Sequence, residues 1–180
     1  NPGRSLKEAI LCWNYKKSVP GNQKYHPDDL TSSLTNNMLN ISLLNETEIP
    51  DLKKFSAQEW PGADREHFGS QQVDFAKPEF TLVAHDDNSM VGYIKCILDM
   101  GVLHLDSIIV AEKYRGQGIA KRLVMAAQEK GKAMGAHKFW LETGSTWKAR
   151  GFYEKIGFQV RANLNNYYAH QDFVLMDKDL

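Results

Sequence analysis

The stretch that decides the fold is Leu103-His-Leu-Asp-Ser-Ile-Ile-Val110, with Tyr114-Arg-Gly-Gln-Gly-Ile-Ala120 close behind it. Apolar and polar residues alternate as far as Ser107, as in a strand with one buried face, and three apolar residues then stand together. This break predicts either a β-bulge or a strand that leaves its neighbour and buries both faces. A central strand that simply enters the core would show the same pattern.

The second half of this stretch predicts a loop that binds a diphosphate group. Gly116 and Gly118 permit backbone conformations closed to other residues and a close approach of the main chain to a ligand. The N–H groups of the following helix's first turn and the positive end of its dipole attract anions. Arg115 adds a planar charged group suited to phosphate. A glycine-rich strand-to-helix turn with a solvated arginine is the structural alternative.

Two common phosphate loops do not fit this segment. Lys121 stands where G-x-G-x-x-G requires its third glycine, and G-x-x-x-x-G-K-[ST] does not occur in the sequence. Arg115–Ala120 instead resembles the acetyl-CoA signature of the GNAT N-acetyltransferases, [Q/R]-x-x-G-x-[G/A]. Ala149-Arg-Gly-Phe-Tyr-Glu-Lys-Ile-Gly-Phe158 is similar to that family's second hallmark, a helix-to-strand segment. The chain is therefore identified as a member of this family.

The resemblance implies a mixed α/β fold with a GNAT-type, mostly antiparallel central sheet of about six or seven strands. About four helices flank the sheet, which is splayed at the acetyl-CoA site. We expect the GNAT domain to span 41–180, after an N-terminal extension, 1–40, of unknown role with a short helix at Leu6–Trp13. Residue patterns predict strands at Ile41–Asn45, Phe80–His85, Met90–Leu98, Val102–Val110, Lys138–Glu142, Phe158–Ala162 and Phe173–Met176, and helices at Glu48–Trp60, Gly118–Met134 and Thr146–Ile156.

Acetyl-CoA is the cosubstrate that the resemblance implies, with no metal. Backbone groups at the end of the strand would hold the pantetheine arm, and the amides of the loop would hold the pyrophosphate. The residues expected to bind it are Ile108, Ile109, Val110, Arg115, Gly116, Gln117, Gly118, Ile119, Ala120 and Ala149.

By resemblance, the acetyl group passes directly to an amine in a ternary complex. Tyr153 matches the family's general acid for the CoA thiolate, since a phenol of pKa ~10 is protonated at neutral pH; packing of its ring is the alternative. His104 and Asp106 are candidate general bases, although water serves in many relatives and a strand histidine is often structural. The family often has Asn seven positions before the tyrosine, where this chain has Thr146, so one polar contact near the CoA arm is in doubt.

The charges cancel over the whole chain but not along it. Lys and Arg number 22, as do Asp and Glu, which argues against a generally basic nucleic-acid binder. Lys113–Arg161 contains 11 basic and 3 acidic residues, as suits an anionic CoA, whereas Glu46–Asp87 contains 4 basic and 10 acidic residues, as suits a cationic amine. The candidate acceptor-binding residues are Glu59, Asp64, Tyr167, Tyr168 and His170.

The expected partner is a small-molecule or peptide amine, with no nucleic acid and no membrane, and many relatives form homodimers. Cys12 and Cys96 are too few for a disulfide framework and wrongly spaced for zinc, which favours a reducing, cytoplasmic setting. An acyl-CoA-binding sensor or interaction module without turnover is the alternative to an enzyme.

Overall fold

The computed structural model describes residues 41–70 and 73–180. The chain divides into two compact units, Asn1–Val73 and Asp74–Leu180. In the first unit, a 3-10 turn at Glu46–Glu48 leads into helix α1, Ile49–Phe68. The helix predicted at Leu6–Trp13 lies outside the described residues, and the predicted domain boundary after residue 40 stays a prediction.

The strand predicted at Ile41–Asn45 is wrong, because Asn45 starts a helix instead. Its side-chain oxygen accepts the N–H groups of Thr47 and Glu48 at 3.0 and 3.2 Å, and the Glu48 carboxylate accepts the Asn45 N–H at 2.9 Å. This reciprocal capping box fixes the chain's entry into the helix. The apolar side chains before it are exposed, so no face of the segment is buried.

Helix α1 also extends beyond its predicted end at Trp60, so Asp64 is helical instead of lying in a loop. Pro61 removes one backbone donor from the interior of the helix. None of the residues of α1 is buried, so water can reach the carbonyl group left without a donor. The helix ends where Gly69 adopts a positive φ of 62°.

The second unit is built on one six-stranded sheet with the strand order β1-β2-β3-β4-β6-β5. All neighbouring strands are antiparallel except β3 and β4, which are parallel. The six strands that the sequence predicted in this unit are confirmed. They are β1 (Glu79–Asp86), β2 (Ser89–Asp99), β3 (Val102–Val110), β4 (Lys138–Gly144), β5 (Gln159–Leu164) and β6 (Phe173–Asp179).

Two helices accompany this sheet, α2 (Ile119–Ala133) and α3 (Lys148–Lys155). Leu123, Val124 and Ala127 form the buried stripe of α2, at helical spacing. Gly131 lets α2 approach β3 closely, since a Cβ there would lie 2.7 Å from Leu103 Cδ2. The hydrophobic core of this unit includes Ile94, Leu103, Phe139, Leu141, Val174 and Met176.

Three α-helices are thus present in the described part of the chain, and the fourth predicted one lies outside it. None of the helices in residues 41–70 and 73–180 is long and apolar enough to span a membrane.

Candidate active site

Strands β3 and β4 separate part-way along their length. They pair through Val102, Leu103 and His104 with the first three residues of β4, ending at Trp140. Beyond His104, the edge of β3 that faces β4 forms no pairs with it, while the opposite edge stays paired with β2 up to Val110. The separation therefore leaves an unpaired edge of β3 and an unpaired edge of β4 on either side of an opening in the sheet.

A bulge in β3 accounts for the broken alternation of the sequence. Ser107 pairs with Lys95 and Leu105 with Cys96, so Asp106 is the additional residue. Leu105 and Ile108 lie opposite the buried residues Cys96 and Ile94, which leaves Asp106 and Ser107 on the other face. The predicted bulge is confirmed, but the expectation that the strand end buries both faces is wrong, since 52% of Ile109 is exposed.

The pairing with β2 determines which backbone groups face the opening. Ala111 donates its N–H to the Val91 carbonyl at 2.9 Å. Because antiparallel residues alternate in direction, Ile109 also faces β2, and the backbone groups of Ile108 and Val110 face the opening. Ile109 can therefore contribute only its side chain there.

The loop after β3 has the backbone conformation that its glycines predict. Gly116 and Gly118 have φ values of 77° and 79°, and an added Cβ would meet nothing within 4 Å. The backbone conformation therefore favours glycine at both positions. No side chain caps the start of α2, and its first intrahelical bond runs from Arg122 N–H to the Gly118 carbonyl. The N–H groups of Ile119 and Ala120 are left for an anion.

Side chains fasten this loop to the sheet. Arg115 Nε donates to the Val110 carbonyl at 3.2 Å, and Tyr114 Oη donates to the Asp86 carboxylate at 2.9 Å. Gln117 Nε2 donates to the Lys113 carbonyl at 3.4 Å. Arg115 thus joins the loop to the unpaired edge of β3 through Nε, which leaves its terminal N–H groups for phosphate.

Tyr153 lies on α3 with 6% of its surface exposed. Its ring packs against Phe158 and Phe152 with centroid distances of 5.8 and 5.1 Å. Burial raises the pKa of its hydroxyl group to about 12, because a phenolate loses hydration there. Within the described residues the hydroxyl group forms no hydrogen bond, and its oxygen is not among the fully buried unpaired atoms. It is a protonated donor available to a ligand.

His104 lies where the two strands separate, and it has a partner that the sequence analysis missed. Its Nε2 lies 3.0 Å from Glu142 Oε2, and its ring stacks on Trp140 with a centroid distance of 4.1 Å. Glu142 and Trp140 share one face of β4, since they are two positions apart. That alternation was visible in the sequence, but the pairing of β3 with β4 was not.

An aromatic cluster lies at the separated end of β4. Gly144, its last residue, pairs with Phe173, and the Phe173 ring contacts Trp147 and Tyr168 with centroid distances of 5.3 and 5.1 Å. Tyr167 packs on Tyr168 at 4.3 Å. A Cβ on Gly144 would lie 2.5 Å from the Trp147 ring, so Trp147, also missed by the sequence analysis, covers the same face of β4 as Glu142.

The remaining predicted residues lie around or outside this arrangement. His170 Nδ1 lies 3.0 Å from Asn166 Oδ1 near the aromatic cluster, and Ala149 is a partly buried residue of α3. Asp106 is exposed on the bulge. Glu59 and Asp64 belong to α1 in the first unit.

The chain therefore has a parallel strand pair that separates beside a glycine-rich helix start. It also has the two sequence motifs, Arg115–Ala120 and Ala149–Phe158. Residues 45–158 match the model of the Acetyltransferase (GNAT) family. The chain belongs to this family.

One curated relative is N-alpha-acetyltransferase 30 of Schizosaccharomyces pombe, 35% identical over 97 residues, or 51% of this chain and 65% of the relative. The match thus spans a little under two thirds of that protein. Among solved structures, an acetyltransferase from Bacillus cereus is 20% identical with a TM-score of 0.61, covering 79% of this chain and 99% of that one. A GNAT family acetyltransferase from Elizabethkingia anophelis, with acetyl-CoA bound, is 23% identical with a TM-score of 0.52, covering 56% and 75%.

These matches confirm the family recognised in the sequence, the fold class of a mostly antiparallel open sheet with flanking helices, and the enzyme class of acyltransferases. Solved structures of this fold hold acetyl-CoA.

Proposed function

We propose that this GNAT protein transfers an acetyl group from acetyl-CoA to an amine by direct attack in a ternary complex. The observation that carries the proposal is the opening between β3 and β4, which has an unpaired backbone edge on one side and the glycine loop at its end. This arrangement offers hydrogen bonds to an extended arm and N–H groups to a diphosphate attached to it.

The residues fit acetyl-CoA in two parts. Ile108 and Val110 offer backbone groups to the amides of the pantetheine arm, and the amides of Gly116–Ala120 with Arg115 receive the pyrophosphate. The group that acetyl-CoA supplies is an activated thioester. Lys121 and Arg122, in the first turn of α2, add positive charge beside the diphosphate.

His104 is the group that we propose takes the proton of the acceptor. The ammonium N–H bond breaks, the proton forms a bond with Nδ1 of His104, and the electron pair stays on the amine nitrogen. That lone pair attacks the acetyl carbonyl carbon and forms a carbon–nitrogen bond while the carbon–sulfur bond breaks. The nitrogen, positively charged after the attack, loses its second proton to water, which leaves a neutral amide. Nδ1 is the nitrogen on which the described residues place no hydrogen bond. Asp106 and water remain the other candidates for this step.

Tyr153 gives its hydroxyl proton to the departing thiolate in this proposal. The raised pKa of Tyr153, about 12, keeps this proton in place at neutral pH, and the sulfur accepts it as the carbon–sulfur bond breaks. The tyrosinate recovers a proton from solvent as the products leave. Support for the role comes from the position of Tyr153 in the second family motif and from its hydroxyl group, which no neighbour occupies.

The acceptor that we propose is the amino terminus of a peptide or protein. The curated relative's name specifies an α-amino group. Tyr167, Tyr168 and His170 lie at the separated end of β4, where they would contact the residues that follow this amine. Glu59 and Asp64 belong to the acidic segment Glu46–Asp87, whose charge suits a positively charged acceptor.

From composition we also propose a cytoplasmic setting and partners that include neither nucleic acid nor membrane. From the resemblance to the family we propose a homodimer.

A panel of amines tests the acceptor class. It contains peptides with free and with acetylated amino termini, a peptide whose lysine bears the only free amine, a polyamine and an aminoglycoside. We expect thiol release with free amino termini. Release with the polyamine or aminoglycoside alone would contradict the peptide proposal, and binding of CoA without turnover on any amine would favour a sensor.

A further inference from the structure

We propose that Glu142 is the residue that positions His104, by holding its imidazole in the tautomer with the proton on Nε2. Nδ1 then keeps its lone pair for the acceptor's proton. The proposal rests on the function proposed above and assigns a role to a residue outside the two sequence motifs.

The bond between the two side chains fixes the tautomer. Glu142 Oε2 lies 3.0 Å from His104 Nε2, and the side chains are 12% and 25% exposed. An ionised carboxylate only accepts hydrogen bonds, so the nitrogen that faces it must bear the hydrogen. The identity of the protonated nitrogen in a histidine is set in this way by the bond that one nitrogen makes.

Trp140 fixes the plane of the same ring. The indole and imidazole planes are 18° apart with a centroid distance of 4.1 Å. His104 is thus stacked on one side and hydrogen-bonded at one edge, and Nδ1 is the nitrogen left without a partner among the described residues.

The His104–Glu142 pair also lies beside the opening between β3 and β4. His104 and Trp140 are the last residues that pair β3 with β4, and Glu142 is on β4 just beyond that point. The bond therefore bridges the two strands where the opening begins. After proton transfer the imidazolium would lie against a carboxylate, which stabilises its charge.

Neighbouring ion pairs do not compete for Glu142. Lys138 Nζ lies 3.5 Å from the Asp177 carboxylate and 2.6 Å from that of Asp179. Arg161 Nε lies 2.6 Å from the Asp177 carboxylate. Among the residues in 41–70 and 73–180, His104 is the group that bonds to Glu142.

Kinetics and NMR of Glu142→Gln test the proposal. We expect kcat to fall about tenfold or more, with little change in the KM for acetyl-CoA. A glutamine amide can donate a hydrogen bond to Nε2 as well as accept one, so the variant no longer holds the imidazole proton on Nε2. Nitrogen chemical shifts of His104 should show the proton on Nε2 in the wild type and a mixture in the variant. Glu79→Gln, which changes another strand carboxylate bonded to a cationic side chain, Lys95 at 2.9 Å, should leave both readouts unchanged.

A double-mutant cycle separates positioning from direct action. If Glu142 acts through His104, Glu142→Gln causes no further loss of kcat in a His104→Ala background. Losses that multiply would overturn the proposal, as would an unchanged kcat in Glu142→Gln or a wild-type proton on Nδ1. A wild type without turnover on any amine would instead contradict the proposed function, and the tautomer would still be read by NMR.

Discussion

Tyr153 combines a buried ring with a hydroxyl group that has no partner among the described residues. We expect Tyr153→Phe to lower kcat by ~10²-fold or more, because the thiolate then leaves without a proton donor. Binding of CoA should change little, since the ring and its packing remain. Single-turnover kinetics and calorimetry measure the two quantities. An unchanged kcat would remove Tyr153 from the mechanism.

His104 should contribute to kcat as the group that takes the acceptor's proton. We expect His104→Ala to lower kcat by ~10²-fold or more, because the amine then has no positioned base. Binding of CoA should change little, since His104 lies before the unpaired edge of β3. An unchanged kcat would contradict the role of His104 and favour water or Asp106.

Sequence reasoning located His104 and Tyr153 because each lies within or beside a recognisable motif. It missed Glu142, which is 38 positions from His104. The two side chains meet only because β3 and β4 pair in a register that places His104 opposite Trp140. Pairing between distant parallel strands leaves no local pattern in a sequence, so this partner had to come from the structure.

The glycine loop before α2 depends on backbone conformation. We expect Gly118→Ala to cost about 1 kcal/mol of stability and to weaken CoA binding, because φ near 79° strains any residue with a Cβ. Gly151→Ala, within α3 and with open space around it, should instead stabilise the protein by roughly 0.5–1 kcal/mol. Denaturant unfolding and CoA titration check both. Equal effects of the two substitutions would contradict a conformational requirement at Gly118.

The end of β4 depends on the contact between Gly144 and Trp147. We expect Gly144→Ala to destabilise the protein by about 1–3 kcal/mol, because the added Cβ would lie 2.5 Å from the indole ring. Thermal unfolding measures the loss. Adding Trp147→Ala to Gly144→Ala should recover part of the melting temperature, and no recovery would show that the strain arises elsewhere.

The elements of the second unit follow their sequence patterns closely, and those of the first unit do not. Strand β2, and β3 as far as Leu105, alternate over a buried face, so period and burial agree. Ile41–Asn45 has strand-like residues, yet the Asn45 capping box determines its conformation. The first helix was predicted to end at Trp60, directly before Pro61, but an exposed helix tolerates the donor that Pro61 lacks. Local capping and solvent exposure decided these two cases.

The stability of the whole molecule should change with pH in the alkaline range, because a thiol and a phenol are buried. Burial raises the pKa of the Cys96 thiol from 9.0 to about 12 and the pKa of Tyr153 from 10.0 to about 12. In the unfolded chain both groups release protons near their ordinary pKa values, so the unfolded state binds fewer protons than the folded state above pH ~9. The free energy of unfolding should therefore be fully present below pH ~9 and decline as the pH rises towards 12.

Denaturant unfolding between pH 7.5 and 10.5 checks this dependence. Cys96→Ala and Tyr153→Phe should each lower stability at neutral pH but flatten its decline above pH ~9, since each removes one titrating group. Curves for the wild type and both variants that run parallel across this range would contradict the assignment of the decline to these two residues.

The charge of the whole chain, zero by sequence, is a cancellation between unlike segments. The basic segment, Lys113–Arg161, contains the glycine loop, α2 and α3. Composition thus indicated an anionic cosubstrate at the loop. It did not indicate the aromatic cluster, because strand pairing brings together Trp147, the residues around Tyr168, and Phe173.

Acetyl transfer itself is measured most directly by incubating the protein with acetyl-CoA and a peptide that has a free amino terminus. Thiol release and the mass of the peptide are followed together. We predict one acetyl group on the peptide's α-amine for each thiol released, with both signals strongly reduced in Tyr153→Phe. Stabilisation of the protein by CoA, without thiol release on this peptide or on any other amine, would contradict the account and indicate a protein that binds the cosubstrate but does not use it.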